Sequence, residues 1–315
     1  MSESTSSQPI TRRTMLQSAA AAVLAGSTTG LAVETKGPAV TKGRIKQSLV
    51  EWCYTKTGDQ WSIDKLCQVA NALGVTSVEI CPPSDYPTLK KYGLKCAIGS
   101  IDMSPDAPFK KGFNNPVHWP RVIKATTDAI DAAADFGVPN VIAFTGYAAT
   151  DPDDPKSEKL TSEQGAKNCI EGFKKVVGHA EKKNVTIALE MLNTRDSSHP
   201  MKGHPGYQGD HVDYCIDIIK QVGSPHLKLL FDIYHVQIMD GDVIRHLRQN
   251  IDYISHIHTA GNPGRGELDN KQEINYPPIM EALLELGYTG YVGQEFIPTR
   301  DAYQGLHEAV TLCDV

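Results

Sequence analysis

The chain has 315 residues, of which 40% are hydrophobic and 7% aromatic, so it can form one large barrel or two smaller domains with a sizeable core. Its formal net charge of -6 leaves no basic surplus for contacts with a phosphate backbone, which argues against nucleic acid as a partner. The seven cysteines are odd in number and have no CxxC spacing, so most of them are expected to be buried free thiols.

The amino terminus differs in composition from the rest of the chain. Arg12 and Arg13 follow a polar lead and precede an Ala-rich segment that is too short and too weakly apolar to be a stable membrane anchor. Residues 1–35 resemble a twin-arginine export signal, with small residues around Ala25 or Ala32 where a peptidase could cut. This predicts an exported, periplasmic protein. The alternative is a cytoplasmic protein with a disordered tail.

From residue 43 to residue 315 the chain alternates apolar β-branched runs with amphipathic stretches, without a further break in composition, which favours one domain. Eight runs are predicted strands: IKQSLVEW, VTSVEIC, LKCAIGS, VPNVIAFTG, VTIALEML, LKLLFDIY, YISHIHTA and YVGQEFI. The helical segments between them include one that Ser62 could cap, and several end at a glycine suited to a left-handed cap: Gly74, Gly93, Gly137, Gly223 and Gly287.

Eight repeats of strand and helix most simply close into an α/β fold of the (β/α)8 TIM barrel type, as a single domain. An open doubly wound sheet is the alternative fold. No GxGxxG follows the first predicted strand, so dinucleotide binding has no support.

Four predicted strands carry a polar residue that a buried strand tolerates badly: Glu190, Asp232, His258 and Glu295. Strand alternation turns each of these side chains inward, near the carboxyl end of its strand, at the rim where barrel enzymes do their chemistry. Because the four strands are consecutive, the side chains should converge on one half of the mouth. Three carboxylates held together would repel each other and keep protons unless a cation neutralised them, so the pattern predicts one divalent metal ion.

Three carboxylates and one imidazole suit Mn²⁺ or Mg²⁺, with Co²⁺ feasible and Zn²⁺ less favoured. Such an ion would polarise the carbonyl of a hydroxy-carbonyl compound and acidify the neighbouring C–H. Glu190 and Glu295 are the candidate catalytic residues, one removing a proton and the other delivering it to the next carbon through an enediolate. Asp232 would mainly hold the ion.

Three further residues are candidates for contacts with a substrate. His235 lies just beyond the sixth strand and is expected to contact a substrate oxygen, with core packing as the alternative. Arg265, in the loop after the seventh strand, could bind a carboxylate or a hydroxyl pair bidentately, or be a solvated loop arginine. Trp52, at the end of the first strand, could shield the pocket or pack in the core.

Other polar residues near the predicted rim are interpreted without a catalytic role. His256 is expected to be a satisfied core histidine one layer below His258. Glu79 and Glu51 are interpreted as hydrogen-bonded structural acids, because nothing in the sequence pairs them with the four-residue cluster. His204, in the long loop after the fifth strand, is interpreted as solvated or as part of a lid.

Taken together, these residues resemble the xylose isomerase-like barrel superfamily, and most closely its hydroxypyruvate isomerase family, from about residue 47 to the end of the chain. The motifs that carry the resemblance are ALEMLN, FDIYHVQ, HIHTAGNPGR, QEINY and YVGQEFIP. The resemblance implies a divalent metal at Glu190, Asp232, His258 and Glu295, with the two glutamates as proton donor and acceptor. It implies interconversion of hydroxypyruvate and 2-hydroxy-3-oxopropanoate, and Asn193 of ALEMLN joins the candidate substrate-binding residues.

One departure from the family pattern bears on the substrate. Hydroxypyruvate isomerases typically have glutamine at the position of His258, whereas the histidine here is similar to that of related ketose 3-epimerases and sugar isomerases. Three hypotheses therefore stand: a hydroxypyruvate-type isomerase, a ketose 3-epimerase or sugar isomerase, and a sugar-binding barrel without turnover. Each predicts a small hydroxy acid or sugar as partner, and the sequence leaves a homo-oligomer open.

Overall fold

The structure, a computed structural model, describes residues 37–154 and 156–315. The export signal predicted over residues 1–35 lies outside the described residues and stays a prediction. None of the helices in the described ranges has the length and apolarity needed to cross a bilayer.

The described residues alternate strands and helices along the chain. The strands are β1 (Lys46–Val50), β2 (Ser77–Glu79), β3 (Ile98–Gly99), β4 (Asn140–Phe144), β5 (Thr186–Glu190), β6 (Leu227–Asp232), β7 (Ile254–Thr259) and β8 (Tyr291–Gln294). The α-helices are α1 (Glu51–Thr55), α2 (Ile63–Leu73), α3 (Tyr86–Lys91), α4 (Trp119–Phe136), α5 (Ser162–Lys183), α6 (Val212–Val222), α7 (Ile233–Met239), α8 (Val243–Asn250), α9 (Tyr276–Glu285) and α10 (Ala302–Cys313). Short 3-10 turns occupy Pro83–Asp85, Pro116–His118 and Ile251–Tyr253.

The strands form one parallel sheet in the order β2-β1-β8-β7-β6-β5-β4-β3. Its two ends also meet, because the N–H of Val78 donates to the carbonyl of Lys95 at 3.0 Å and the N–H of Ile80 donates to the carbonyl of Ile98 at 2.9 Å. These hydrogen bonds bring β2 and β3 together and close the sheet on itself. The predicted single-domain α/β fold, a (β/α)8 TIM barrel, is therefore confirmed.

All eight predicted strands run further than the observed ones, and after two of them the chain turns directly into a helix. The chain turns into α1 at Glu51 and into α7 at Ile233, whereas the sequence pattern extended these strands to Trp52 and Tyr234. Asp232 accounts for the second difference, because its Oδ1 accepts the N–H of Tyr234 at 2.8 Å and so caps a helix. The cap outweighs the β propensity of the residues that follow it.

The local signals for helix ends are confirmed. Ser62 caps α2 by accepting the N–H of Lys65. The five predicted cap glycines all have positive φ: Gly74, Gly93, Gly137, Gly223 and Gly287. All seven cysteines are buried and free, as expected from their number and spacing.

Asp314 joins the carboxyl end of the chain to the segment before β1. Its Oδ2 accepts the N–H groups of Thr41 and Lys42, each at 2.6 Å, and its Oδ1 accepts the N–H of Gly43 at 2.8 Å. Burial would raise the pKa of Asp314, but these backbone donors hold it below its ordinary value. The ionised carboxylate therefore favours the folded state.

We expect Asp314→Asn to lower the free energy of unfolding by about 1–3 kcal/mol at neutral pH, because the backbone donors lose a charged acceptor. Since the pKa is depressed in the folded state, the stabilisation exists above the unfolded-state pKa of about 3.9 and shrinks as the pH falls through the folded value. Urea unfolding at neutral and at acidic pH measures both quantities. Asp217→Asn, at an exposed position on α6, controls for net charge, and equal losses in the two variants would contradict the role of Asp314.

Candidate metal centre and active site

The four predicted metal ligands meet at the mouth of the barrel. Glu190 ends β5, Asp232 ends β6, His258 lies on β7 and Glu295 directly follows β8. All four are buried, and one ligand atom from each lies within 4.8 Å of those of the others. The parallel register pairs Asp232 with His258 and His258 with Gly293, so the inward parity expected from strand alternation brings the four side chains together.

His258 lies between two of the carboxylates. Its Nδ1 is 2.7 Å from Glu295 Oε2 and 3.6 Å from Glu190 Oε1, while its Nε2 is 3.0 Å from Glu79 Oε1. In the part of the chain that is described, Glu190 Oε1 is buried and has no hydrogen-bond partner. Buried polar atoms are normally satisfied, and a metal ion would satisfy this one.

Arg265 places a second cationic group in the mouth. Its Nη2 donates to Glu295 Oε2 at 2.6 Å and to Asp232 Oδ2 at 3.1 Å, and its Nη1 donates to the carbonyl of Met201 at 2.5 Å. The guanidinium also lies over the ring of Trp52, 5.5 Å from its centroid. Because the residue is only 2% exposed, the interpretation of Arg265 as a solvated loop arginine is wrong.

Burial and the two cationic groups set the protonation of the carboxylates. Burial raises the pKa of Asp232 to about 7 and raises the pKa of Glu190 above its ordinary value. Burial acts the same way on Glu295, but Arg265 and His258 hold the pKa of that carboxyl well below its usual range. Burial opposes the charge of His258, and Glu295 and Glu190 overcome this and raise its pKa well above the ordinary value. Without a further cation, Asp232 and Glu190 therefore tend to keep their protons.

This set of side chains fits a hard divalent cation. The donors are three carboxylates and one imidazole nitrogen, a set that Mn²⁺ and Mg²⁺ accept and that contains no thiolate. An ion held by them would compensate the negative charges that burial penalises. Its binding would displace the protons that Asp232, Glu190 and His258 otherwise keep.

His235 is fully buried beside the cluster. Its Nδ1 accepts from the backbone N–H of Asn193 at 3.1 Å and lies 2.7 Å from the Nδ2 of the same residue. Two donors at Nδ1 place the ring proton on Nε2. That Nε2 is 3.5 Å from Asp232 Oδ2 and has no hydrogen-bond partner among the described residues, so it offers a donor beside the cluster.

The side chain of Asn193 is engaged by the chain itself. Its Nδ2 donates to the carbonyl of Lys202 at 2.8 Å, and its Oδ1 accepts the N–H of Asp196 at 3.0 Å. The structure thus places Asn193 where it orients His235 and holds the loop after β5, outside the lining of the cavity.

A cavity of about 590 Å³ opens above the cluster. Glu190, Glu295, Arg265 and Trp52 all line it. The indole Nε1 of Trp52 donates to Glu295 Oε1 at 3.1 Å, so this ring is a wall of the cavity and also fixes one of the carboxylates. The mouth can therefore enclose a small molecule against the four-residue cluster.

Sequence reasoning left His204, Glu79 and Glu51 outside the site, and Glu51 lines the cavity. His204 lines the cavity with its ring 4.2 Å from that of Phe109 and is 2% exposed, so the solvated interpretation is wrong. Glu79 contacts His258, so the expectation that nothing pairs it with the cluster is also wrong. The parity rule that turned Glu190 inward would have turned Glu79 inward as well, whereas a loop histidine gives no periodic signal.

The comparisons with known proteins agree with the resemblance predicted from the motifs. The family model described as Xylose isomerase-like TIM barrel matches residues 67–310. A putative hydroxypyruvate isomerase of Homo sapiens is 27% identical over 82% of this chain and 81% of its own length. The 2-oxo-tetronate isomerase of Cupriavidus necator is 41% identical over 40% of this chain and 46% of its own length. A solved structure named AP endonuclease, family 2, from Brucella melitensis has a TM-score of 0.70 at 24% identity, covers 83% of this chain and 97% of its own, and shows the fold alone.

We expect the affinity for Mg²⁺ or Mn²⁺ to rise as the pH rises through about 7, because the pKa of Asp232 is raised to about 7 and this carboxyl must lose its proton before it binds an ion. Titration calorimetry in buffers of different ionisation enthalpy measures both the affinity and the protons released. Asp232→Asn should weaken binding and lower the number of protons released by up to one, since Glu190 and His258 still release theirs, whereas Asp217→Asn should behave as the wild type. An affinity independent of pH in the wild type would contradict this account.

Proposed function

The chain belongs to the xylose isomerase-like TIM barrel family, and on that premise we propose that it is a divalent-metal-dependent isomerase that moves a proton between adjacent carbons of a small hydroxy-carbonyl substrate. The observation that carries the proposal is the convergence of Glu190, Asp232, His258 and Glu295 on one point, with a buried Glu190 oxygen that the described residues leave unsatisfied. Relatives named hydroxypyruvate isomerase and 2-oxo-tetronate isomerase support isomerisation as the reaction class.

The two glutamates are the proposed proton-transfer groups. A bound divalent ion would polarise the substrate carbonyl and make the adjacent C–H more acidic. Glu190 and Glu295 both approach Nδ1 of His258, and both line the cavity. One of them would remove the proton, giving an enediolate, and the other would deliver a proton to the neighbouring carbon. Burial raises the pKa of Glu190, which favours the protonated form that a proton donor needs.

Neighbouring residues would position the substrate. The unpartnered Nε2–H of His235 can donate to a substrate oxygen beside Asp232. Arg265 and Trp52 both donate hydrogen bonds to Glu295, which fixes their side chains in the wall of the cavity. Residues held in one geometry before the substrate enters lose little entropy during the reaction.

The size of the cavity supports a ketose 3-epimerase or sugar isomerase as the second candidate. A volume of about 590 Å³ is far larger than a three-carbon acid fills. Histidine at position 258 agrees with this candidate.

A substrate panel separates the candidates. Protein supplied with Mn²⁺ should convert either hydroxypyruvate or neutral ketoses, and a reaction in D₂O should place deuterium at the carbon that receives the proton, because carboxyl protons exchange with solvent. Mass spectrometry of the product measures both outcomes, and a chelator should abolish them. Inactivity of the metal-loaded protein on hydroxy acids and sugars alike would favour a sugar-binding barrel without turnover.

Glu295→Gln should lower turnover by more than about a thousandfold, because it removes a ligand charge and a proton-transfer group together while keeping the size of the side chain. Steady-state kinetics on the best substrate of the panel measures the effect. The matched control is Glu281→Gln at an exposed position on α9, which should retain full turnover. Near wild-type activity in the Glu295 variant would rule out the proposed mechanism.

A further inference from the structure

A second group of buried titratable residues lies inside the barrel, next to the metal-ligand cluster. Glu79 of β2 reaches over the interior to β7, where its Oε1 is 2.8 Å from Nε2 of His256 and 3.0 Å from Nε2 of His258. All three side chains are fully buried. One carboxylate oxygen of Glu79 is thus within hydrogen-bond distance of both ring nitrogens. Since a carboxylate oxygen only accepts hydrogen bonds, both histidines donate Nε2–H to it.

This contact decides which nitrogen of His258 faces the other carboxylates. With its proton held on Nε2, the neutral ring has a free lone pair on Nδ1, the atom that lies 2.7 Å from Glu295 and 3.6 Å from Glu190. We propose that Glu79 is a positioning residue of the metal centre, which fixes the tautomer and orientation of His258 so that Nδ1 binds the ion. The inference rests on the metal-dependent function proposed above and adds to it a residue that does not touch the ion.

The course of the Glu79 side chain depends on Gly293 of β8. A Cβ built at position 293 would lie 2.0 Å from Glu79 Oε1 and 2.9 Å from Cδ2 of His258, which is too close for either contact to survive. Gly293 does not have the positive φ that would itself require glycine. The Glu79 carboxylate occupies the space that a side chain at position 293 would need, which explains the glycine there.

The same three residues could in principle hold an ion of their own, since their ligand atoms lie within 4.8 Å of one another. The geometry favours hydrogen bonding instead. One oxygen of Glu79 already accepts hydrogen bonds from both rings. An ion bound between the three residues would need the lone pair of His258 Nε2, and that nitrogen carries the proton donated to Glu79. The positioning role therefore predicts one ion per chain, whereas a second site predicts two.

The test is Mn²⁺ binding by the full-length chain, measured by titration calorimetry. Glu79→Ala should weaken the affinity about 10–100-fold, the usual effect of removing the partner that orients a metal-ligating histidine. Glu79→Gln should weaken it less, because the amide oxygen still accepts the N–H but carries no charge.

His256→Gln separates positioning from a merely structural role. It removes the other ring that contacts Glu79 and leaves the contact with His258, so it should lower the thermal midpoint while the Mn²⁺ affinity stays at the wild-type value. A loss of affinity as large as that in Glu79→Ala would overturn the proposal.

A spectroscopic measurement on the wild type does not depend on whether any variant folds. Nitrogen-15 spectra of the protein loaded with diamagnetic Mg²⁺ should show His258 with its proton on Nε2, and a proton on Nδ1 would overturn the proposal. If the wild type binds no Mn²⁺, the metal-dependent function fails and the positioning role fails with it. If the wild type binds one ion and Glu79→Ala binds it equally well, only the positioning role fails. Two ions per chain would also overturn it.

Discussion

The arrangement of this barrel mouth depends on the balance between buried carboxylates and the cationic groups that face them. Glu190, Asp232 and Glu295 lie where transfer out of water penalises their charge. Arg265 and His258 compensate Glu295 directly, which leaves Asp232 and Glu190 with raised pKa values. A divalent ion is the group that would let all three carboxylates ionise together. The need to compensate buried carboxylate charge therefore links Glu190, Asp232 and Glu295 with Arg265 and His258.

The barrel supplies the geometry that this balance requires. Parallel pairing places Asp232 of β6 beside His258 of β7, and His258 beside Gly293 of β8, so consecutive strands deliver their side chains at one height. The N–H of Glu295 donates to the carbonyl of Thr259 at 2.9 Å, which continues the pairing past the end of β8. The ligand positions are thus set by backbone hydrogen bonds and do not depend on flexible loops, as preorganised sites require.

Strand parity was sufficient to predict where Glu190 and Asp232 point, because side-chain direction along a strand is a local property. Arg265 could be named but not placed, because the direction of its guanidinium is set by the carbonyl of Met201 in a different loop. Glu79 carries the same signal as Glu190, a buried acid on an inward position. Its contact with β7 depends on the space left by Gly293, and a sequence does not show that space.

The contact with Glu79 also bears on the histidine at position 258, where the resemblance to hydroxypyruvate isomerases leads one to expect glutamine. A glutamine there could offer its carbonyl oxygen to the ion and donate its amide N–H to Glu79, whereas the histidine offers Nδ1 and donates Nε2–H. Both residues have an acceptor at one end and a donor at the other, so an acid at position 79 would serve either one. The imidazole is the larger and stiffer group, and its Nδ1 lies within 4 Å of both Glu190 and Glu295. Under the proposed metal-dependent function, exchange of the two residue types would keep a ligand for the ion and change the shape of its surroundings.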